Sequence, residues 1–180
     1  FDSFTSSTPY TTGRRSLGSA GTQTANLIFG GAEPAMSNKT EEYNGSGWAS
    51  GGAFGASGYG MRGMGTQTAA LSSGLFTPTG VQTNVYEYDG SSWTNGTALP
   101  TATKFASAAG IQTDALMFSG NVSPNTVVTT TLGYDGTSWS TRPSMGTARQ
   151  AGAGAGTSTA ALMSAGSNVG GTSLTTTEEF

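Results

Sequence analysis

One phrase recurs along this chain at a nearly fixed interval, and it limits the possible folds more than any other feature. Tyr43-Asn44-Gly45-Ser46-Gly47-Trp48, Tyr88-Asp89-Gly90-Ser91-Ser92-Trp93 and Tyr134-Asp135-Gly136-Thr137-Ser138-Trp139 each place an aromatic, a tight turn and a second aromatic five positions on. Phe1 to Phe4 is a shortened copy. With the second aromatic as phase marker, the copies fall at Phe4, Trp48, Trp93 and Trp139, separated by 44, 45 and 46 residues. A leucine follows each marker by 23 positions, at Leu27, Leu71, Leu116 and Leu162. A repeat of this length is one supersecondary unit that must stack on its neighbours to bury its apolar face.

Inside each repeat the punctuation is that of short strands. A Gly-led polar turn precedes each leucine: Gly21-Thr22-Gln23-Thr24, Gly65-Thr66-Gln67-Thr68, Gly110-Ile111-Gln112-Thr113 and Gly156-Thr157-Ser158-Thr159. Glycine supplies the backbone freedom of a hairpin turn, and the flanking threonines suit strands. A small-residue strand leads into the turn, as in Ala151 to Ala155, and an apolar one leaves it, as in Ala25 to Phe29. A variable loop follows, then a Thr-rich strand into the first aromatic, the Asp-Gly turn, and the marker strand. No window shows the apolar spacing of a helix. The expected fold is all-β, a single domain over 1–180, with four four-stranded propeller blades. The chain begins inside a marker strand and stops at Phe180, so the N-terminal strand is expected to complete the last blade. A closed ring of four is favoured, against a dimer of two such halves or a slice of a longer array.

The phrase resembles the kelch repeat: a Gly-Gly pair (Gly30-Gly31), a downstream tyrosine and a tryptophan after a short turn. The pair becomes Gly74-Leu75, Ser119-Gly120 and Ala165-Gly166 in the later repeats. In composition the Gly/Thr/Ser-rich repeats are similar to kelch-like repeats of phage tail or surface proteins. That resemblance implies a repeat protein of a virion or cell surface, such as a phage tail fibre engaged in host recognition.

Composition narrows the chemistry. The chain has no Cys and no His, which removes thiol chemistry, disulfides, soft-metal sites and imidazole catalysis. Net charge is −3 with seven basic residues, so no nucleic-acid partner is expected. No apolar run approaches 18 residues, and no membrane insertion is expected. Asp89-Gly90 and Asp135-Gly136 lack the further carboxylates of a calcium loop and read as hairpin turns. Adjacent carboxylates such as Glu41/Glu42 and Glu178/Glu179 point to opposite faces of a strand, so neither pair makes a hydrolytic couple. The pairs Tyr43/Trp48, Tyr88/Trp93 and Tyr134/Trp139 read as packing between blades. No catalytic residue, metal or cofactor is expected.

Strand parity divides the molecule into two ends. The Gly-led and Asp-Gly turns, nearly constant, fall at one; the crossovers and remaining loops, which vary, fall at the other. Binding sits where loops vary over a constant scaffold. Six of the seven basic residues fall in or beside the variable segments, whereas Glu33 alone of the ten acidic ones does. Arg14, Arg15, Lys104, Arg142 and Arg149 are the candidate ligand-binding residues; Arg14 and Arg149 at one repeat position, and Arg15, Lys104 and Gln150 at the next, are expected to rim the mouth of a central channel. The functional reading is a non-enzymatic, extracellular or virion-displayed propeller acting in adhesion or receptor recognition, with a cell-surface glycan as the expected partner. The alternative is a structural decoration or assembly protein of a phage particle or surface filament, contacting neighbouring subunits or itself.

Overall fold

The computed structural model describes residues 6–180, and all regular structure there is β, with no helix. The first sheet is an up-and-down meander of β1 (Gly18–Gly21), β2 (Asn26–Phe29), β3 (Thr40–Tyr43) and β4 (Trp48–Ser50). The second takes β5 (Arg62–Thr66) and β6 (Ala69–Ser73), leaves for a separate hairpin of β7 (Leu75–Thr77) and β8 (Gly80–Gln82), and returns with β9 (Tyr86–Tyr88) and β10 (Trp93–Asn95). After the short β11 (Thr103–Lys104) the third sheet begins with β12 (Ser107–Ile111) and β13 (Asp114–Phe118). The small strands β14 (Asn121–Val122) and β15 (Thr126–Val127) join β11, and β16 (Thr131–Tyr134) with β17 (Trp139–Arg142) completes the third meander. The last sheet has β18 (Ala153–Gly156), β19 (Ala161–Ser164) and β20 (Thr177–Glu179). Every ladder is antiparallel.

Three meanders therefore carry the four strands that the repeat predicts, and the last carries three. The strand expected to complete it, at Phe1 to Phe4, lies outside the described residues. The sheets number six rather than four, because two segments expected as loops pair up. Leu75–Thr77 folds back on Gly80–Gln82, its turn passing through Gly80 at φ +118°. Asn121–Val122 pairs on one side with β11 and on the other with β15. Phe76, Val81, Val122 and Val127 are β-formers set among turn residues, and each pair has an open strand edge to join.

Side-chain alternation sets how the meanders stack. Leu27 and Phe29 face the second sheet and meet Phe54, Ala70, Tyr86 and Tyr88. Met64 and Leu71 face the third, against Ala115, Met117 and Tyr134. Leu116 and Phe118 face the last, against Ala161 and Met163. The fully enclosed aromatics and aliphatics of these three cores each remove apolar area from water at about 25 cal/mol per Å². The same repeat position behaves differently in the last sheet, where Leu162 is 41% exposed. Leu162 faces the first sheet, and no comparable core joins those two among the described residues.

The first strands of the four sheets, β1, β5, β12 and β18, run together at the centre. Their backbones approach closely: a Cβ on Gly63 would collide with the Ser19 carbonyl oxygen, and one on Gly154 would lie 2.6 Å from that of Ala108. Small residues are thus required where these strands meet. Met61 and Met64, which break the run of small residues in the second repeat, turn sideways into the first and second cores. Just ahead of each central strand the chain makes the same bend. Ser16, Gly60, Phe105 and Ala151 occupy one repeat position, and all four are left-handed, at φ 54°, 78°, 53° and 58°. Their peptides are linked in series: Gly60 N–H donates to Ser16 C=O, Phe105 N–H to Gly60 C=O, and Ala151 N–H to Phe105 C=O, at 2.8–2.9 Å.

Candidate functional site

The end carrying the constant turns is consumed by its own hydrogen bonds. The Gln67 amide donates to the carbonyls of Asn26 and Tyr43 in the preceding sheet, at 3.0 and 2.7 Å. Gln112 does the same to Ala70 and Tyr88, at 3.1 and 2.8 Å. Asp89 accepts from the N–H groups of Ser91 and Ser92 and from both hydroxyls, and Asp135 repeats the arrangement with Thr137 and Ser138. The Ser92 N–H bond, followed by those from Ser91, holds the Asp89 carboxyl down at about 2, and the same donors depress Asp135. The turn thus coordinates its own carboxylate.

The strand carboxylates are also engaged. Tyr88 and Tyr134 donate their hydroxyls across sheets to Glu42 and Glu87, the latter at 2.6 Å. At the next copy of this pair, phenylalanine stands at 180 and glycine at 133, so donor and acceptor are lost together. Tyr88 sits on Trp93 with centroids 4.9 Å apart, and Tyr134 on Trp139 at 4.8 Å. Trp93 reaches back to Phe29 at 4.7 Å and to Phe54 at 4.9 Å, packing one sheet on the next. Tyr43 and Trp48 stack at 5.0 Å, with Tyr10 edge-on to Trp48.

Two of the candidate ligand-binding residues lie inside rather than on a rim. Arg14 pairs with Glu41 at 2.8 Å, side chains 2% and 3% exposed. Arg149 is fully buried; it reaches Glu178 at 2.5 Å, the carbonyls of Thr147, Ala165 and Thr176, and the Thr176 hydroxyl. Burial by itself would raise the Glu41 carboxyl, but bonds from Thr11 and the charge of Arg14 outweigh it and leave the pKa lowered. Burial is likewise outweighed at Glu178, which is lowered by the Gly146 N–H, the charge of Arg149 and Thr147. The error is one of parity, since in extended chain the neighbouring residue points to the opposite side.

That neighbouring position forms the rim. Arg15, Tyr59, Lys104 and Gln150 each immediately precede one of the four left-handed residues. Each pairs by its backbone with the start of a variable segment, at Ala32, Phe76, Asn121 and Ser167 respectively. Arg15 is 78% exposed and 3.7 Å from Glu33. The Lys104 ammonium lies 4.8 Å from the Phe76 ring centre and 5.7 Å from that of Phe105. Tyr59 completes this half-buried patch, 5.1 Å from Phe76 and 5.9 Å from Phe105. Arg142 stands apart from the group: it ends β17, and its guanidinium lies across Gly133, where a Cβ would collide with Nε. The structure therefore gathers Arg15 and Lys104 on one rim, buries Arg14 and Arg149, and places Arg142 on an outer strand.

Behind the rim, the first strands of all four sheets line a cavity of about 350 Å³ that includes Gly18, Arg62, Ala108 and Gly152. A second, of about 240 Å³, lies toward the constant turns and is walled by the opposite ends of the same strands. Tyr59, Phe76 and Phe105 were not marked by the sequence pattern, and Arg62 stood out only, with Met61 and Met64, as a break in the run of small residues. Tyr59 could have been found by aligning it with Arg15 and Lys104, and Phe105 by aligning it with Ser16, but Phe76 lies in a segment with no counterpart elsewhere. No protein-family model matches the chain, and no curated protein matches it.

Proposed function

We propose that this chain is a four-bladed β-propeller, displayed outside a cell or on a virion, that binds a cell-surface glycan or receptor through its loop-bearing end and has no enzymatic role. The observation carrying this reading is the contrast between the two ends. At one, repeated side chains are spent on bonds within the fold. At the other, a single repeated backbone position presents Arg15, Tyr59, Lys104 and Gln150, four different chemistries on one frame. An aromatic patch topped by a cation suits the apolar face and hydroxyl edge of a sugar ring.

Closure by the N-terminal strand is supported by positional equivalence. Trp93 rests between Phe29, Phe54 and Tyr88, and the same repeat positions two repeats further on, at the junction of the third and last sheets, are Phe118, Met145 and Phe180. Those three residues border a cavity of about 380 Å³, and Phe4 is the residue of matching phase. The chain from Thr8 also follows the path of a crossover. Thr8 donates to the Ser46 carbonyl and accepts from Trp48 Nε1, as Thr97 does with Thr137 and Trp139.

A glycan array probed with the wild type and with a Tyr59→Ala/Lys104→Ser double variant tests the functional reading. Hits that disappear in a double variant of unchanged circular dichroism are expected; a wild type with no hits would sink it. The alternative, an architectural subunit, is favoured by Leu162 and Phe180, 41% and 43% exposed beside a cavity of about 330 Å³ along the edge of the last sheet. Light scattering separates the two, because the architectural subunit self-associates and the adhesion module stays at 18.0 kDa.

A further inference from the structure

The cavity behind the rim contains one charge, and the fold supplies nothing to pair with it. Arg62 opens β5 and is half-buried in the wall. Among the described residues its guanidinium forms no ion pair, and no carboxylate lines the cavity. The other sheets carry Gly18, Ser107 and Ala153 at the Arg62 position, so the scaffold does not need a long side chain there. Burial pushes this guanidinium down from its ordinary value of 12.5. A cation held partly out of water without a counter-ion is stabilised by an incoming anion.

We propose that Arg62 is an anion-recognition residue, and that the cavity receives the carboxylate of an acidic sugar whose ring rests on Tyr59, Phe76 and Lys104. The proposal rests on the glycan reading above and names its ligand class. A guanidinium fork matches a carboxylate with two parallel hydrogen bonds. The patch lies close to the cavity in the chain: Phe105 packs against Gly60, two residues before Arg62. At about 350 Å³ the cavity admits a single sugar unit rather than a chain.

Titration of the ¹⁵N-labelled protein with glucuronate, glucose and acetate, read at the amides of Gly63, Gly152 and Gly154, tests it. Saturable shifts with glucuronate are expected, with acetate at least tenfold weaker and glucose inert. Arg62→Met, which keeps the stem, should weaken glucuronate at least tenfold, and Arg62→Lys by less, with melting temperatures unchanged. Equal shifts for glucose, or equal binding by Arg62→Met, overturn the proposal. Acetate matching glucuronate overturns the sugar assignment and leaves an adventitious ion only. Should Arg62→Met fail to fold, the wild-type ratio of glucuronate to glucose still decides. Array hits confined to neutral glycans would remove the role of Arg62 and leave the rim reading standing. Glucuronate binding with an empty array would do the reverse.

Discussion

Arg149 shows how much a single side chain contributes to this fold. Its guanidinium joins the chain before β18 to the start of β20, and removing it strands Glu178. Loss of one partner of a buried pair costs about 3–5 kcal/mol, and the partial exposure of Glu178 places Arg149→Met at the lower end, about 3 kcal/mol. Urea unfolding with an unchanged m-value checks this; a change under about 1 kcal/mol would mean the pair is dispensable. The Tyr–Glu bonds make an opposite prediction about alkali. Burial first, then the bond to Glu42, pushes Tyr88 up to about 12 from 10.0, and burial and the bond to Glu87 raise Tyr134. Because the folded value exceeds the unfolded one, this stabilisation is whole below pH 10 and is lost as the pH rises toward 12. Tyr86 is also raised, by burial alone, so ultraviolet titration should show three of the six tyrosines ionising late, and Glu42→Gln should bring Tyr88 forward. Residue phase was legible in the sequence wherever an aromatic or a leucine marked it. It was not legible for Arg14 and Arg149, because the crossovers carry no period-2 pattern to say which of two adjacent residues points inward.

The strands and their turns make a second level, at which stability is spread over copies. Gln67 and Gln112 each staple one sheet to the carbonyls of the one before it, whereas the fourth copy has Ser158, too short to reach. Gln112→Ala leaves two carbonyls without their donor and should cost about 1–2 kcal/mol, whereas Ser158→Ala should cost almost nothing. Comparing their urea midpoints checks the pair. The Asp turns set the acid limit. Asp89, held at about 2 against an ordinary 3.8, stabilises the fold fully above pH 3.8, and that support fades as the pH falls toward 2. Glu41 and Glu178, also lowered, begin to fail below their ordinary 4.5. Melting at pH 7, 4 and 2 should show the loss, and Asp89→Asn should flatten its lower limb. The strand order of each meander could be read from turn chemistry alone, since Gly-led and Asp-Gly turns state where strands reverse. The hairpin of β7 and β8 and the small sheet around β14 could not. Leu75-Phe76-Thr77 and Asn121-Val122 occur once each, so no repetition distinguished them from loops.

Over the whole molecule, the four meanders stack in series, and the last is packed on one side less completely than the rest. Three cores bury large side chains between successive sheets, whereas Leu162 in the last sheet is 41% exposed. The closure proposed above predicts that Phe4→Ala is destabilising, by about 2 kcal/mol or more for an aromatic removed from a core. Substituting Phe1 serves as the control. Equal urea midpoints for Phe4→Ala and wild type would place the N-terminal strand elsewhere.

The linked peptides of Ser16, Gly60, Phe105 and Ala151 have a consequence for how such a protein diversifies. The bend before each central strand is held by main-chain groups, which every residue except proline supplies. The rim side chain one step earlier is therefore not needed to hold the bend, although Gln150 also accepts a hydrogen bond from Asn121 Nδ2 at 2.9 Å. Arg15, Tyr59 and Lys104 can be exchanged for other side chains while the bend keeps its shape, so specificity can drift from one ligand to another without a passage through unfolded intermediates.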